Sequence, residues 1–181
     1  FIELMNYSNN INLALKDFSQ GKKEVAYKKL KKIFSKNESD DQLRFNLAVI
    51  EQSLNLNKEA IENYKFLINK NNNYKAMINL YLLYLKEERY LEGLNLINKL
   101  INENVNINSL IRDKAFVLYK LKRFSESISI CQDYLRKNND SNFLNILGLN
   151  YLANENLVKA EEIFRQALTI DTKNPFLLNS L

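Results

Sequence analysis

Five small residues stand in register along this chain: Ala26, Ala60, Gly93, Ser127 and Ala160, separated by 34, 33, 34 and 33 positions. A second register holds Ala14, Ala48, Ala115 and Gly148, interrupted once by Tyr81. Helices approach to the short end of roughly 8–10 Å only where the side chains at their crossing are small. A single Ala on a helix carries no information, but two small-residue registers at one period require a series of closely crossing helix pairs. Between them, apolar residues recur at i, i+3, i+4 and i+7, the helical spacing. Each such segment runs roughly 12–14 residues, too short to be stable alone in water. Stability then has to come from stacking neighbouring pairs into a continuous core.

The punctuation agrees. Only 3 Gly and 1 Pro leave little material for strands and β-turns. The 29 Asn residues sit mostly between the helical patterns, where an amide side chain serves caps and turns.

The pattern is fullest from Ser141 to Pro175. Leu144, Leu147, Gly148 and Tyr151 share the face of one helical segment, and Ala160, Phe164 and Ala167 that of a second, before the turn Asp171–Pro175. This order and spacing resemble a tetratricopeptide repeat, a 34-residue helix–turn–helix unit. The nearest rival is a 35-residue RNA-reading helical repeat. The Ala160/Phe164 spacing, the Leu147–Gly148 pair and the closing turn favour the tetratricopeptide reading.

The resemblance implies an all-α fold, a right-handed α-solenoid (superhelix) of antiparallel helix pairs. It divides the chain into units 7–40, 41–73, 74–107, 108–140 and 141–174. Residues 1–6 read as a lead-in, the end of a preceding helix, and 175–181 as the start of a further, truncated one. The first unit departs most from the pattern, with Asp17 and Lys23 where later units carry apolar residues; its helices are expected near Ser8–Ser19 and Lys23–Lys36. The chain begins at Phe1 and stops just after a new unit starts, so it reads as a piece of a longer protein.

Catalytic chemistry is poorly supplied. The sequence contains no histidine, which removes Ser–His–Asp and Cys–His arrangements and His-containing zinc sites. The three glycines are too far apart for a phosphate loop. Adjacent acids at Asp40/Asp41, Glu87/Glu88 and Glu161/Glu162 point about 100° apart on a helix and do not converge on one atom. No enzyme activity, cofactor or metal is therefore expected of this segment. The one cysteine, Cys131, lies inside an apolar helical pattern and reads as a buried thiol. No apolar run approaches a membrane span, and no signal-peptide pattern is present, so a cytoplasmic setting is expected. The net charge of +5 is concentrated in Gly21–Phe34. On that helix Ala26, Leu30, Ile33 and Phe34 share one face and Lys28, Lys29, Lys31 and Lys32 point elsewhere, as a solvated face does. Nucleic acid is not the expected partner.

In the family resembled, the first helix of each unit lines a concave wall. Carried onto this sequence, the wall holds Phe45, Asn46, Val49, Ile78, Asn79, Leu82, Arg112, Asp113, Phe116, Asn145 and Leu149, with Asn12 and Leu15 extending it. Asn12, Asn46 and Asn79 repeat at 34 and 33 residues and resemble the asparagine ladder of protein O-linked sugar transferases, whose amides hold an extended peptide. The ladder stops at Asp113 and Ile146. The apolar wall residues suit a peptide or amphipathic helix. A carboxylate clamp like that of chaperone adaptors is not expected: Asn46, Asn79 and Lys75 are present, but Ile11 and Leu15, or Phe45 and Val49, replace its first Lys and Asn. The expected function is a protein–protein interaction scaffold. The alternative is a substrate-recruiting arm of a larger enzyme, such as a glycosyltransferase or other transferase, whose catalytic domain lies outside this sequence.

Overall fold

The computed structural model describes residues 2–105 and 107–171. They form ten helices and, among the described residues, no strand: α1 (Ile2–Ser19), α2 (Lys23–Phe34), α3 (Asp41–Ser53), α4 (Asn57–Asn71), α5 (Tyr74–Lys86), α6 (Tyr90–Asn102), α7 (Ile107–Lys120), α8 (Phe124–Leu135), α9 (Ser141–Ala153) and α10 (Leu157–Ile170). The class is the all-α solenoid of helix pairs. α1 differs from expectation at its start. Residues 2–6, read as the end of a preceding helix, are continuous with α1. The further helix expected over 175–181 and the end of the turn before it lie outside the described residues.

Two local devices set the helix ends. Three of the first helices, α3, α5 and α9, start on a side-chain cap. Asp40 accepts from the Leu43 N–H at 2.8 Å, Asn73 from Ala76 at 3.0 Å, and Asp140 from Asn142 at 2.8 Å. Each cap satisfies an N–H that would otherwise lack a partner. Among the second helices, α2, α4, α6 and α8 have no side-chain cap, and only α10 has one, from Asn156. They are launched from a left-handed turn. Gly21, Asn55, Glu88, Lys122 and Glu155 all have φ between 57° and 81°. The residue after the turn then donates back across it: Lys22 to Asp17 O, Leu56 to Glu51 O, Arg123 to Leu118 O and Asn156 to Tyr151 O, each at 2.9 Å.

The chain divides into two compact units, 1–87 and 88–181. In the first, Ala14, Ala26, Leu30, Leu43, Leu47 and Ile50 form a buried cluster wrapped by Tyr7, Ile11, Leu15 and Phe18. In the second, Ala115, Cys131, Phe143, Ile146 and Leu147 form one cluster, and Leu144, Ala160, Phe164 and Ala167 another. All nine members of the two small-residue registers are buried. Tyr81, the large residue that interrupts the second register, is buried as well. Three polar side chains lie in these cores: Glu51, Ser127 and Asn150. Ser127 Oγ donates to the Ala115 carbonyl at 2.7 Å and accepts from Asn150 Nδ2 at 2.8 Å.

Candidate functional site

The wall residues of the first compact unit lie on α1, α3 and α5. Helical spacing fixes their direction, because residues three or four apart share a face. Asn12 is exposed, Leu82 is exposed, and Phe45, Asn46, Val49, Ile78 and Asn79 are half-buried. A depression of about 330 Å³ opens here, lined by Phe18, Val49, Gln52, Ser53, Asn79 and Lys86. Val49 and Asn79 belong to the expected wall. Phe18, Gln52, Ser53 and Lys86 were missed, although they stand one helical turn beyond Leu15, Val49 and Leu82 on the same faces. Extending each face by i+3 or i+4 would have found them.

The three ladder amides are not equivalent. Asn46 Oδ1 accepts from Gln42 Nε2 at 3.1 Å. Asn79 Nδ2 donates to the Tyr64 hydroxyl at 3.2 Å, and that hydroxyl donates to Gln52 Oε1 at 2.9 Å. Tyr64, on α4, is fully buried and reads from the sequence as core alone. Burial pushes its phenol up to about 12, partly countered by the Asn79 bond, so it stays protonated and continues to donate near neutral pH. The Phe45 ring rests on the Tyr64 ring, centroids 6.1 Å apart. Tyr64 therefore positions three wall side chains: Phe45, Gln52 and Asn79.

No carboxylate lines this depression. Its one cationic group, the Lys86 ammonium, donates to Asn55 Oδ1 at 3.1 Å. The lining combines apolar surface, two amides, a hydroxyl and an ammonium. It can hold an uncharged or anionic chain and contains no group able to act as a general base near neutral pH.

The wall residues of the second compact unit lie on α7 and α9. Arg112 Nη2 pairs with Asp113 Oδ1 at 3.3 Å, so these adjacent wall residues engage each other. Phe116 packs against Tyr119, centroids 6.4 Å apart, with the Lys120 ammonium 5.5 Å from the Phe116 ring centre. Tyr119 passes the aromatic contact on to Phe124 at 6.2 Å. Asn145 is half-buried and its Oδ1 is a buried acceptor with no hydrogen-bond partner. Leu149 packs at the edge of the Leu144–Phe164 cluster. Among the described residues no helix is long and apolar enough to cross a membrane.

Solved structures share this fold over nearly the whole chain. YrrB, described as a TPR protein with an unusual peptide-binding site, is 18% identical with a TM-score of 0.77, covering 94% of this chain and 89% of its own. MamA 41-end from Desulfovibrio magneticus RS-1 is 13% identical with a TM-score of 0.80, over 93% of this chain and 97% of that one. PilF of Pseudomonas aeruginosa is 18% identical with a TM-score of 0.69, over 96% and 80%. No protein-family model matches the chain, and no curated protein does.

Proposed function

We propose that this chain, whose fold is that of the tetratricopeptide repeat, is an interaction module that takes an extended peptide or a helix along the wall formed by the first helix of each unit. The observation that carries the proposal is the depression where Val49 and Asn79 meet Phe18, Gln52, Ser53 and Lys86. An extended peptide presents alternating donors and acceptors along its backbone. Among the described residues nothing bonds Asn46 Nδ2 or Asn79 Oδ1, which offers that backbone one donor and one acceptor. The apolar residues Phe45, Val49, Ile78, Leu82, Phe116 and Leu149 would take the peptide's side chains. The module acts by binding, without catalysis of its own. A cytoplasmic setting fits Cys131, a buried thiol.

A substrate-recruiting arm of a larger transferase would use the same wall, and the asparagine ladder is what favours it. The ladder is short, since Asp113 and Ile146 take its next two places; among the described residues neighbours hold Asn46 and Asn79.

The test is a peptide selection on the chain, followed by titration of the selected peptides into Val49→Glu and Asn79→Ala variants. Binding at least about tenfold weaker, with helical content unchanged by circular dichroism, is the expected result. A selection that yields no binder, or peptides held equally by the folded variants, would sink the proposal.

A further inference from the structure

The depression on the wall of α1, α3 and α5 is electrostatically one-sided. At each of these helices a carboxylate adjoins a lining residue in sequence: Asp17 beside Phe18, Glu51 beside Gln52 and Glu87 beside Lys86. Adjacent side chains on a helix point about 100° apart, and each of these acids is engaged by a group outside the depression. Lys29 bonds Asp17 at 2.6 Å, Asn63 bonds Glu51 at 2.8 Å, and Asn57 bonds Glu87 at 2.8 Å.

Two ammonium groups have no such counterpart. Lys86, in the lining, donates to Asn55 Oδ1 at 3.1 Å, and Lys23 donates to the carbonyl of Ser53, another lining residue, at 3.3 Å. Both acceptors are neutral, and among the described residues neither lysine is paired with a carboxylate. An ammonium has three N–H donors, so each keeps two for a further partner. Both sit at the C-terminal end of α3, whose aligned peptide dipoles supply about half a negative charge, well short of the two positive charges there. The depression therefore presents net positive charge beside the apolar side chains of Phe18 and Val49.

We infer that, on the peptide-binding reading of the wall, the peptide it takes is acidic and extended. An Asp or Glu side chain of it meets Lys86 and Lys23, beside an apolar side chain seated on Phe18 and Val49. Alternate side chains of an extended peptide face the same way, so the two belong at i and i+2. The apolar contact and the backbone bonds supply most of the affinity, and the ammonium groups choose among sequences. A basic side chain is disfavoured at this place, because no carboxylate in the lining can neutralise it.

The probe is the set of peptides selected on the chain from a random library, displayed without a free C-terminal carboxylate. Each is compared with a counterpart in which Asp and Glu become Asn and Gln. The selected set is expected to share an acid two positions from an apolar residue, and the amide counterparts to bind about fivefold less tightly. In the Lys23→Gln/Lys86→Gln variant, altered only at exposed positions, that ratio is expected to fall to about one. Lys28→Gln/Lys32→Gln removes the same charge from exposed positions elsewhere and is expected to leave the ratio unchanged. Peptides that lose affinity to Val49→Glu yet carry no such acid would overturn the acidic class and leave the binding reading standing. So would an acid whose effect survives Lys23→Gln/Lys86→Gln. An effect reduced equally by Lys28→Gln/Lys32→Gln would overturn it in favour of net charge alone. A selection that yields no binder would overturn both.

Discussion

Phe164 lies so close over Gly148 that a Cβ added to the glycine would stand 2.5 Å from the ring. The pair joins α9 to α10 at one of the small-residue crossings, and the ring is buried. Gly148→Ala is expected to destabilise the chain by about 1–3 kcal/mol, the cost of overpacking a filled crossing. Chemical denaturation measures it. Phe164→Leu, destabilising in the parent, should be less so in the Gly148→Ala background, since the smaller side chain yields to the methyl group. Additive effects would show that the two residues do not compete for space.

The left-handed turn between paired helices recurs in five units, and Gly21 and, less fully, Asn55 suit its backbone conformation. Lys122 and Glu155 hold φ of 60° with full side chains, both exposed. Lys122→Gly and Glu155→Gly are each expected to stabilise the chain by about 0.5–1 kcal/mol, the relief of the Cβ clash less the added freedom of the unfolded glycine. Gly21→Ala is expected to shift the midpoint the other way. A loss of stability at both Gly variants would show that these side chains make compensating contacts.

Glu51 is only 3% exposed, and burial raises its carboxyl above the ordinary 4.5. Asn63 Nδ2 opposes this by donating at 2.8 Å, as does Lys31, while Glu59 and Glu62 add to the rise. A carboxyl that holds its proton more tightly folded than unfolded gives the native state the extra proton across that interval. Its stabilising share is complete below the unfolded value and lost as pH rises through the folded one. Glu51→Gln keeps an acceptor for Asn63 and removes the charge. Its gain in denaturation midpoint over the parent should be larger near about pH 7 than near about pH 4. A gain that is independent of pH, or larger in acid, would contradict the burial argument.

Tyr64→Phe deletes the hydroxyl that accepts from Asn79 and donates to Gln52. The expected cost is about 1 kcal/mol of stability. Peptides selected on the parent chain should also bind less tightly, because two wall amides lose the bond that orients them. Lower stability with unchanged affinity would place Asn79 outside the peptide site.

The helix pairs were legible because they follow from local rules. Ala26 to Ala160 and Ala14 to Gly148 keep one period, and the Asp and Asn caps at 40, 73 and 140 stand where a backbone N–H lacks a partner. The wall was legible as a set of directions, since helical spacing decides which way Phe45, Asn46, Val49 and Asn79 point. Glu51 was not. It occupies a place that Tyr84, Leu118 and Tyr151 fill in later units, and nothing local reveals that Asn63 of the next helix pairs with it.

What the sequence determined by itself is the repeat: where helices begin, where they must be thin, and which face each turns inward. Only the tertiary structure decided which polar atoms of the wall are already engaged, and that Tyr64 orients Phe45, Gln52 and Asn79. The physical reason is range. Helix propensity, capping and periodicity act within a few residues, whereas a side-chain hydrogen bond or a filled crossing depends on ångström-scale placement of groups from different helices.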